Sequence, residues 1–172
     1  MVKDLSLLLT LVLIGVALTL IAVGWRNRLR RQADVESLPD VPAELGAPLA
    51  TADGQYVAST TAGDWLDRIA VHNLGIRTNA ELSVHPEGVL FERSGAGPVF
   101  IPAARLTGVR QESGMAGKFV EKDGLLVLSW MLGAHELDTG FRTRHADDKT
   151  TLLNALQDLI SAAPQANADS GK

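Results

Sequence analysis

The chain begins with a long stretch that carries no charged residue. Residues 5–23 contain only apolar side chains, glycine and small hydroxyl residues. An α-helix rises about 1.5 Å per residue, so this stretch is roughly 28 Å long, close to the ~30 Å hydrocarbon core of a bilayer. The sequence therefore predicts a single transmembrane helix that anchors whatever follows it.

A basic collar follows this stretch directly. Five residues are predicted to lie at the membrane interface: Trp25, Arg26, Arg28, Arg30 and Arg31. The arginines outweigh Lys3, whose charge Asp4 offsets, so the positive-inside rule places the C-terminal part in the cytoplasm and the N-terminus outside. Trp25 fits because indole prefers the headgroup level. We expect residues 1–31 to form anchor and collar at the plasma membrane.

A cleaved signal peptide is the alternative interpretation of this segment. It would need basic residues before a short apolar core and a small-residue cleavage site after it. Here the core is longer, the arginines follow it, and no A-x-A pattern is present. The pattern favours a retained anchor.

Composition limits what the remaining chain can be. A chain of 172 residues that spends about thirty on an anchor has room for one ordinary domain. The absence of cysteine excludes disulfides, thiolate zinc sites, iron–sulfur clusters and cysteine nucleophiles. From Gln32 onward, 11 basic residues face 19 acidic ones, a net charge of −8. Nucleic acid is therefore not an expected partner, because its binding depends on phosphate neutralisation.

Two segments have the composition of unfolded chain. Residues 32–54 contain three prolines and five acidic residues but no lysine or arginine, which predicts an acidic linker. Residues 164–172 are small and polar and predict a disordered tail. The folded domain is thus expected over residues 55–163.

The pattern within that domain is mainly β. Seven strands are predicted, at residues 55–61, 81–85, 89–93, 99–101, 106–112, 125–130 and 136–143. The turn His85-Pro86-Glu87-Gly88 has the type I preference, and Asp123-Gly124 favours a tight hairpin turn. A C-terminal amphipathic helix follows, with its apolar stripe at Leu152, Leu156, Leu159 and Ile160.

Seven short strands followed by one amphipathic helix resemble the pleckstrin-homology-like (PH-like) superfold. The segments LSVHPEGVLFERSGAGPVFIPAARLTGVR and GLLVLSWMLGAHELDTGFRTR, behind the anchor and collar, are similar to single-pass membrane proteins of actinobacteria with bacterial PH-like domains. Some members of such families are labelled transporters. The resemblance implies a bent seven-stranded barrel or sandwich whose C-terminal helix caps one open end.

No motif of catalysis or metal binding is found. The four histidines lack paired spacing, and His135-Glu136 is followed by Thr139 where a zinc motif needs a second histidine. No G-x-S-x-G occurs, and Gly114 to Lys118 lacks the first glycine and the final hydroxyl residue of a phosphate-binding loop. We expect no enzyme activity, no metal and no cofactor.

One basic group in the second half of the domain is a candidate binding site. Its members are Arg105, Arg110, Lys118, Lys122, Arg142 and Arg144, and the first choices among them are Arg105, Arg110, Lys118, Arg142 and Arg144. Such a group can bind a phosphate or an acidic peptide through charge-assisted hydrogen bonds. The alternative is a solvated face balanced by interleaved carboxylates. The loop after the first strand offers only Arg68 against Asp64 and Asp67, unlike PH domains that bind phosphoinositides.

These patterns predict a membrane-tethered, non-catalytic PH-like domain that binds a protein or peptide at the cytoplasmic face. The partner's identity stays open. The alternative is a module that senses anionic lipid headgroups. An auxiliary subunit of a transport system is a further alternative, although one span lacks the helix bundle that surrounds a midplane substrate site.

Overall fold

The computed structural model describes residues 2–31 and 35–162, which form two separate units divided between residues 34 and 35. The first unit is one helix, α1 (Val2–Arg31), and the exposed apolar side chains described on it include Leu9, Leu13 and Ile21. The predicted helix is therefore confirmed. Its role as a membrane span is not: over the part of the chain that is described, no helix is both long and apolar enough to cross a bilayer.

The predicted collar lies at the C-terminal end of α1. Arg26 is exposed there, and the side chains of Trp25, Arg28, Arg30 and Arg31 fall outside those described. The predicted tail at residues 164–172 also lies outside the described residues.

The second unit is an antiparallel β-domain with a C-terminal helix. Its elements are β1 (Ala50–Thr61), β2 (Thr78–His85), β3 (Gly88–Arg93), β4 (Val99–Pro102), β5 (Leu106–Glu112), β6 (Gly114–Met115), β7 (Lys118–Phe119), β8 (Leu125–Leu132), β9 (His135–Thr143) and α2 (Ala146–Ala162). Seven strands form one sheet in the order β4-β3-β2-β1-β9-β8-β5, and β6 pairs with β7. The seven predicted strands and the predicted helix are confirmed.

Strand β1 joins the two halves of the sheet. Its first half pairs with β2, its second half pairs with β9, and the register shifts between Tyr56 and Ala58. A bulge of this kind bends a strand and increases its twist. The sheet therefore curves around its core and leaves β4 and β5 as its two edges.

The core lies inside this curve and is closed by α2. Leu152, Leu156 and Leu159 of α2 are buried in the same apolar cluster as Phe91 and Phe141 of the sheet. The predicted apolar stripe thus caps the domain. Leaving these leucines in water would cost about 25 cal/mol of free energy for each Å² of apolar surface.

Tyr56 and Trp130 place polar groups in the core, and both are hydrogen-bonded. The Tyr56 hydroxyl donates to the carbonyl of Leu74 over 3.0 Å and bonds the Ser59 hydroxyl at 2.7 Å. The Trp130 indole donates to the Thr139 hydroxyl over 2.8 Å. Burial raises the pKa of Tyr56 to about 12, against the lowering effects of Ser59 and the nearby Arg93.

The domain starts earlier than the sequence predicts. Strand β1 begins at Ala50, and the amide of Leu49 already donates to the carbonyl of Val84. Val35 is buried in the main core, with Leu38 packed against it. The predicted linker boundary at residue 54 therefore differs from the structure, because a few apolar side chains hold a proline-rich, acidic segment on the sheet.

Candidate functional site

The outer face of the sheet carries a second, smaller apolar cluster. Val57, which the bulge turns outward, packs there with Met115 and Val127. The segment between β5 and β8, residues 113–124, crosses this face. Met115 lies over Gly140, where a Cβ would come within 2.5 Å of its sulfur. The glycine thus makes room for the segment that covers the sheet.

A cleft opens beside this crossing segment, and we call it the Asp138 cleft. It has a volume of about 460 Å³ and is lined by Thr60, Gly63, Trp65, Arg110, Glu112, Ser113, Gly114, Met115, Asp123, Val127 and Asp138. Its position follows from strand register, since Thr60 of β1 and Ser129 of β8 both pair with Asp138 of β9.

Asp138 is a buried carboxylate with four hydrogen bonds. Arg110 donates to its two oxygens over 3.0 and 2.7 Å, and the Ser129 hydroxyl donates over 2.7 Å. The backbone amide of Gly63 adds a bond of 3.3 Å. Burial alone would raise the pKa of Asp138, but these donors outweigh it and hold the pKa below its usual value.

A second cavity lies at the start of α2, and we call it the α2 pocket. Its volume is about 440 Å³, and Arg142, Arg144 and Lys149 line it. Arg142 donates to Glu121 over 2.8 Å, and Lys149 donates to the carbonyl of Asp123 over 2.8 Å. The pKa of Glu121 is lowered by its own backbone hydrogen bond and then by Arg142.

A groove runs between the edge strand β5 and α2, and we call it the β5–α2 groove. It measures about 510 Å³ and is lined by Gly108, Val109, Gln157, Asp158, Ile160 and Ser161. Among the described strands, β5 pairs with β8 alone. Gly108 and Val109 of β5 thus lie in the groove, and β5 has no strand partner on its other side among the described residues.

The predicted basic group does not form one site. Arg142 and Arg144 meet in the α2 pocket, whereas Arg110 lies in the Asp138 cleft. Arg105 pairs with Glu36 at 3.1 Å, away from both, and Lys118 lies in β7. Sequence analysis missed Lys149, whose only signal is its place in the first turn of the predicted helix.

This architecture has a counterpart among known families. The family described as Bacterial PH domain-like matches residues 35–157. The chain belongs to this bacterial PH domain-like family. The predicted fold family is confirmed, and the match begins at Val35, where the structure also places the start of the domain. The actinobacterial and membrane parts of the sequence prediction stay predictions. No curated protein matches the chain.

One solved structure supports the fold, and two others are more distantly similar. A chain of the 8S snRNP assembly intermediate has a TM-score of 0.51 at 10% identity, with 78% of this chain and 98% of that chain covered. The C-terminal domain of an unknown protein from Leishmania infantum has a TM-score of 0.39 at 13% identity, with 81% of this chain and 98% of that chain covered. A structure of inhibited Vav1 has a TM-score of 0.42 at 18% sequence identity, with 80% of this chain and 32% of that chain covered.

Proposed function

We propose that this bacterial PH-like domain is a non-catalytic adaptor that binds an extended peptide segment of a protein partner in the β5–α2 groove. The PH-like fold supports a binding module in general. The observation that carries the specific proposal is the open edge of β5 beside a groove. An edge strand offers unpaired backbone N–H and C=O groups, which can pair with an added strand.

The groove supplies side-chain contacts next to that edge. Val109 and Ile160 give apolar surface, and Gln157, Asp158 and Ser161 give polar groups. In strand addition, main-chain bonds give affinity and such pockets select alternate side chains of the peptide. An extended segment with an apolar side chain every second residue fits this arrangement.

Substitution in the groove tests the proposal. Ser161→Arg places a long side chain in the groove from an exposed position of α2, and Asn154→Arg is a matched control on an exposed position outside it. Partners captured by crosslinking in native membranes should be lost with S161R and retained with N154R. Identical partner sets for both variants would overturn the proposal.

A second candidate function is recognition of an anionic lipid headgroup in the α2 pocket. Its support is that Arg142, Arg144 and Lys149 line one cavity in a domain whose net charge is otherwise negative. Flotation of residues 35–162, which lack α1 and the arginines at its end, with phosphatidylserine vesicles, against phosphatidylcholine vesicles, tests it. The double variant Arg144→Gln/Lys149→Gln should lose the anionic preference, and Lys122→Gln should keep it. A preference unchanged in the double variant excludes this candidate.

We also propose that the domain is held at the cytoplasmic face of the plasma membrane. The support comes from the sequence alone: the uncharged residues 5–23 and the arginines after them. Retention of the full chain in membranes after alkaline carbonate extraction is the expected result. Because the chain has no cysteine, Thr51→Cys on an exposed position of β1 gives one label site. Ready labelling by an impermeant thiol reagent in intact cells would contradict the orientation.

A further inference from the structure

The floor of the Asp138 cleft contains a hydroxyl without a partner. Thr60 lines the cleft, its side chain is completely buried, and its Oγ1 makes no hydrogen bond. The carboxylate of Asp138, which pairs with Thr60 in register, already accepts four hydrogen bonds. Buried polar groups in native proteins nearly always have a partner, so a lone one at the floor of a cavity calls for a donor or acceptor from outside the chain.

The charge of the cleft favours a cation. Three carboxylates line it, Glu112, Asp123 and Asp138, against the single guanidinium of Arg110. That guanidinium is already committed, to Asp138 at 2.7 Å and to Glu112 at 2.9 Å. The lining therefore carries an excess of two negative charges, and an anionic ligand would meet repulsion.

Part of the cleft lining is apolar. Trp65, Met115 and Val127 line it; the Trp65 residue is 44% exposed, whereas Met115 and Val127 are buried. An aromatic face attracts cations as well as alkyl groups. A ligand with an alkyl stem and a cationic head would satisfy both the walls and the excess charge.

We propose that the Asp138 cleft binds an alkylammonium group, in the form of a lysine side chain presented by a protein. The methylene stem packs against Trp65 and Met115. The ammonium head donates to Thr60 Oγ1 and balances Glu112 and Asp123. This site shares no lining residue with the β5–α2 groove, so the inference stands independently of the function proposed there.

Fluorine NMR of the full chain labelled with 5-fluorotryptophan tests this site. The chain has three tryptophans, and Trp25→Phe and Trp130→Phe assign the Trp65 resonance by elimination. The probe is a capped hexapeptide of glycine and alanine with one central lysine, compared with its norleucine counterpart. The lysine peptide should shift the Trp65 resonance in a saturable, salt-sensitive way, and the norleucine peptide should not. Equal shifts with both peptides would overturn the proposal.

Variants of the cleft complete the test. Thr60→Val removes only the hydroxyl and keeps the shape, so the fold should be retained while the dissociation constant rises at least fivefold. Asp123→Asn should weaken binding similarly, and Thr51→Val outside the cleft should not. Unchanged affinity in T60V would contradict the assigned role of the hydroxyl. Titration with butylammonium distinguishes a free alkylammonium ion from a lysine within a peptide. A shift of the Trp65 resonance equal to that caused by the lysine peptide would show that the ammonium group alone is recognised. A weaker shift would assign recognition to a peptide lysine.

Discussion

At the residue scale, Asp138 links the sheet electrostatically. Its carboxylate is buried and receives donors from β5, β8 and the loop after β1. A carboxylate of this kind stabilises the fold only while it is ionised. The negative charge of Asp138 therefore contributes to the stability of the fold and also to the negative charge of the cleft.

Acid should remove this contribution. Because the pKa of Asp138 lies below its unfolded value, its stabilisation is complete above about pH 4 and is lost as pH falls through the folded pKa. We expect Asp138→Asn to lower the free energy of unfolding by about 1–3 kcal/mol at pH 7. The difference from the native chain should shrink toward pH 2 in urea titrations. A constant difference across that range would contradict this account, and Asp53→Asn on an exposed position is the control.

Tyr56 gives a second residue-scale prediction. It is the chain's one tyrosine, so absorbance at 295 nm reports it alone. Its pKa of about 12 in the fold exceeds the unfolded value of 10.0, so its stabilisation is complete below pH 10 and is lost as pH rises toward 12. Titration of the native chain should have its midpoint well above that of the urea-unfolded chain. Coincident midpoints would mean that Tyr56 is not buried.

At the element scale, the close pairing of β1 with β9 depends on the absence of a side chain at Gly54. A Cβ at Gly54 would lie 2.2 Å from the carbonyl oxygen of Arg142 and 2.6 Å from the Phe141 ring. Gly54→Ala should cost about 2 kcal/mol or more, since backbone must move. Gly108→Ala on β5 meets only ordinary contact at 3.9 Å and is the matched control. Equal thermal unfolding of the two variants would contradict the close approach.

The strands could be predicted from the sequence, but the side chains that they bring together could not. Alternation and turn motifs such as Asp123-Gly124 predict strands because those signals are local. The grouping of side chains is not local: Arg110 reaches Asp138 only because β8 lies between β5 and β9. For the same reason Arg142 and Arg144 meet Lys149, while Arg105 lies with Glu36. Strand order, which sets these neighbours, is not written in the spacing of the basic residues.

At the whole-molecule scale, the boundary of the domain is a testable result. Composition predicts a start at residue 55, because prolines and acids dominate the preceding segment. The structure includes Val35 in the core and starts β1 at Ala50. A chain of residues 35–162 should unfold cooperatively at a higher temperature than one of residues 55–162, which loses the first five of the twelve residues of β1. Equal calorimetric transitions would show that the earlier segment contributes nothing.

The central claim is that a partner segment lies in the β5–α2 groove. The most direct measurement is in vivo photocrosslinking from a photoreactive residue placed at Ser161, inside the groove, and at Asn154, on the same helix but outside it. We predict a discrete crosslinked protein from position 161 that is absent from position 154. The same crosslinked species from both positions, or none from position 161, would contradict the proposed binding mode.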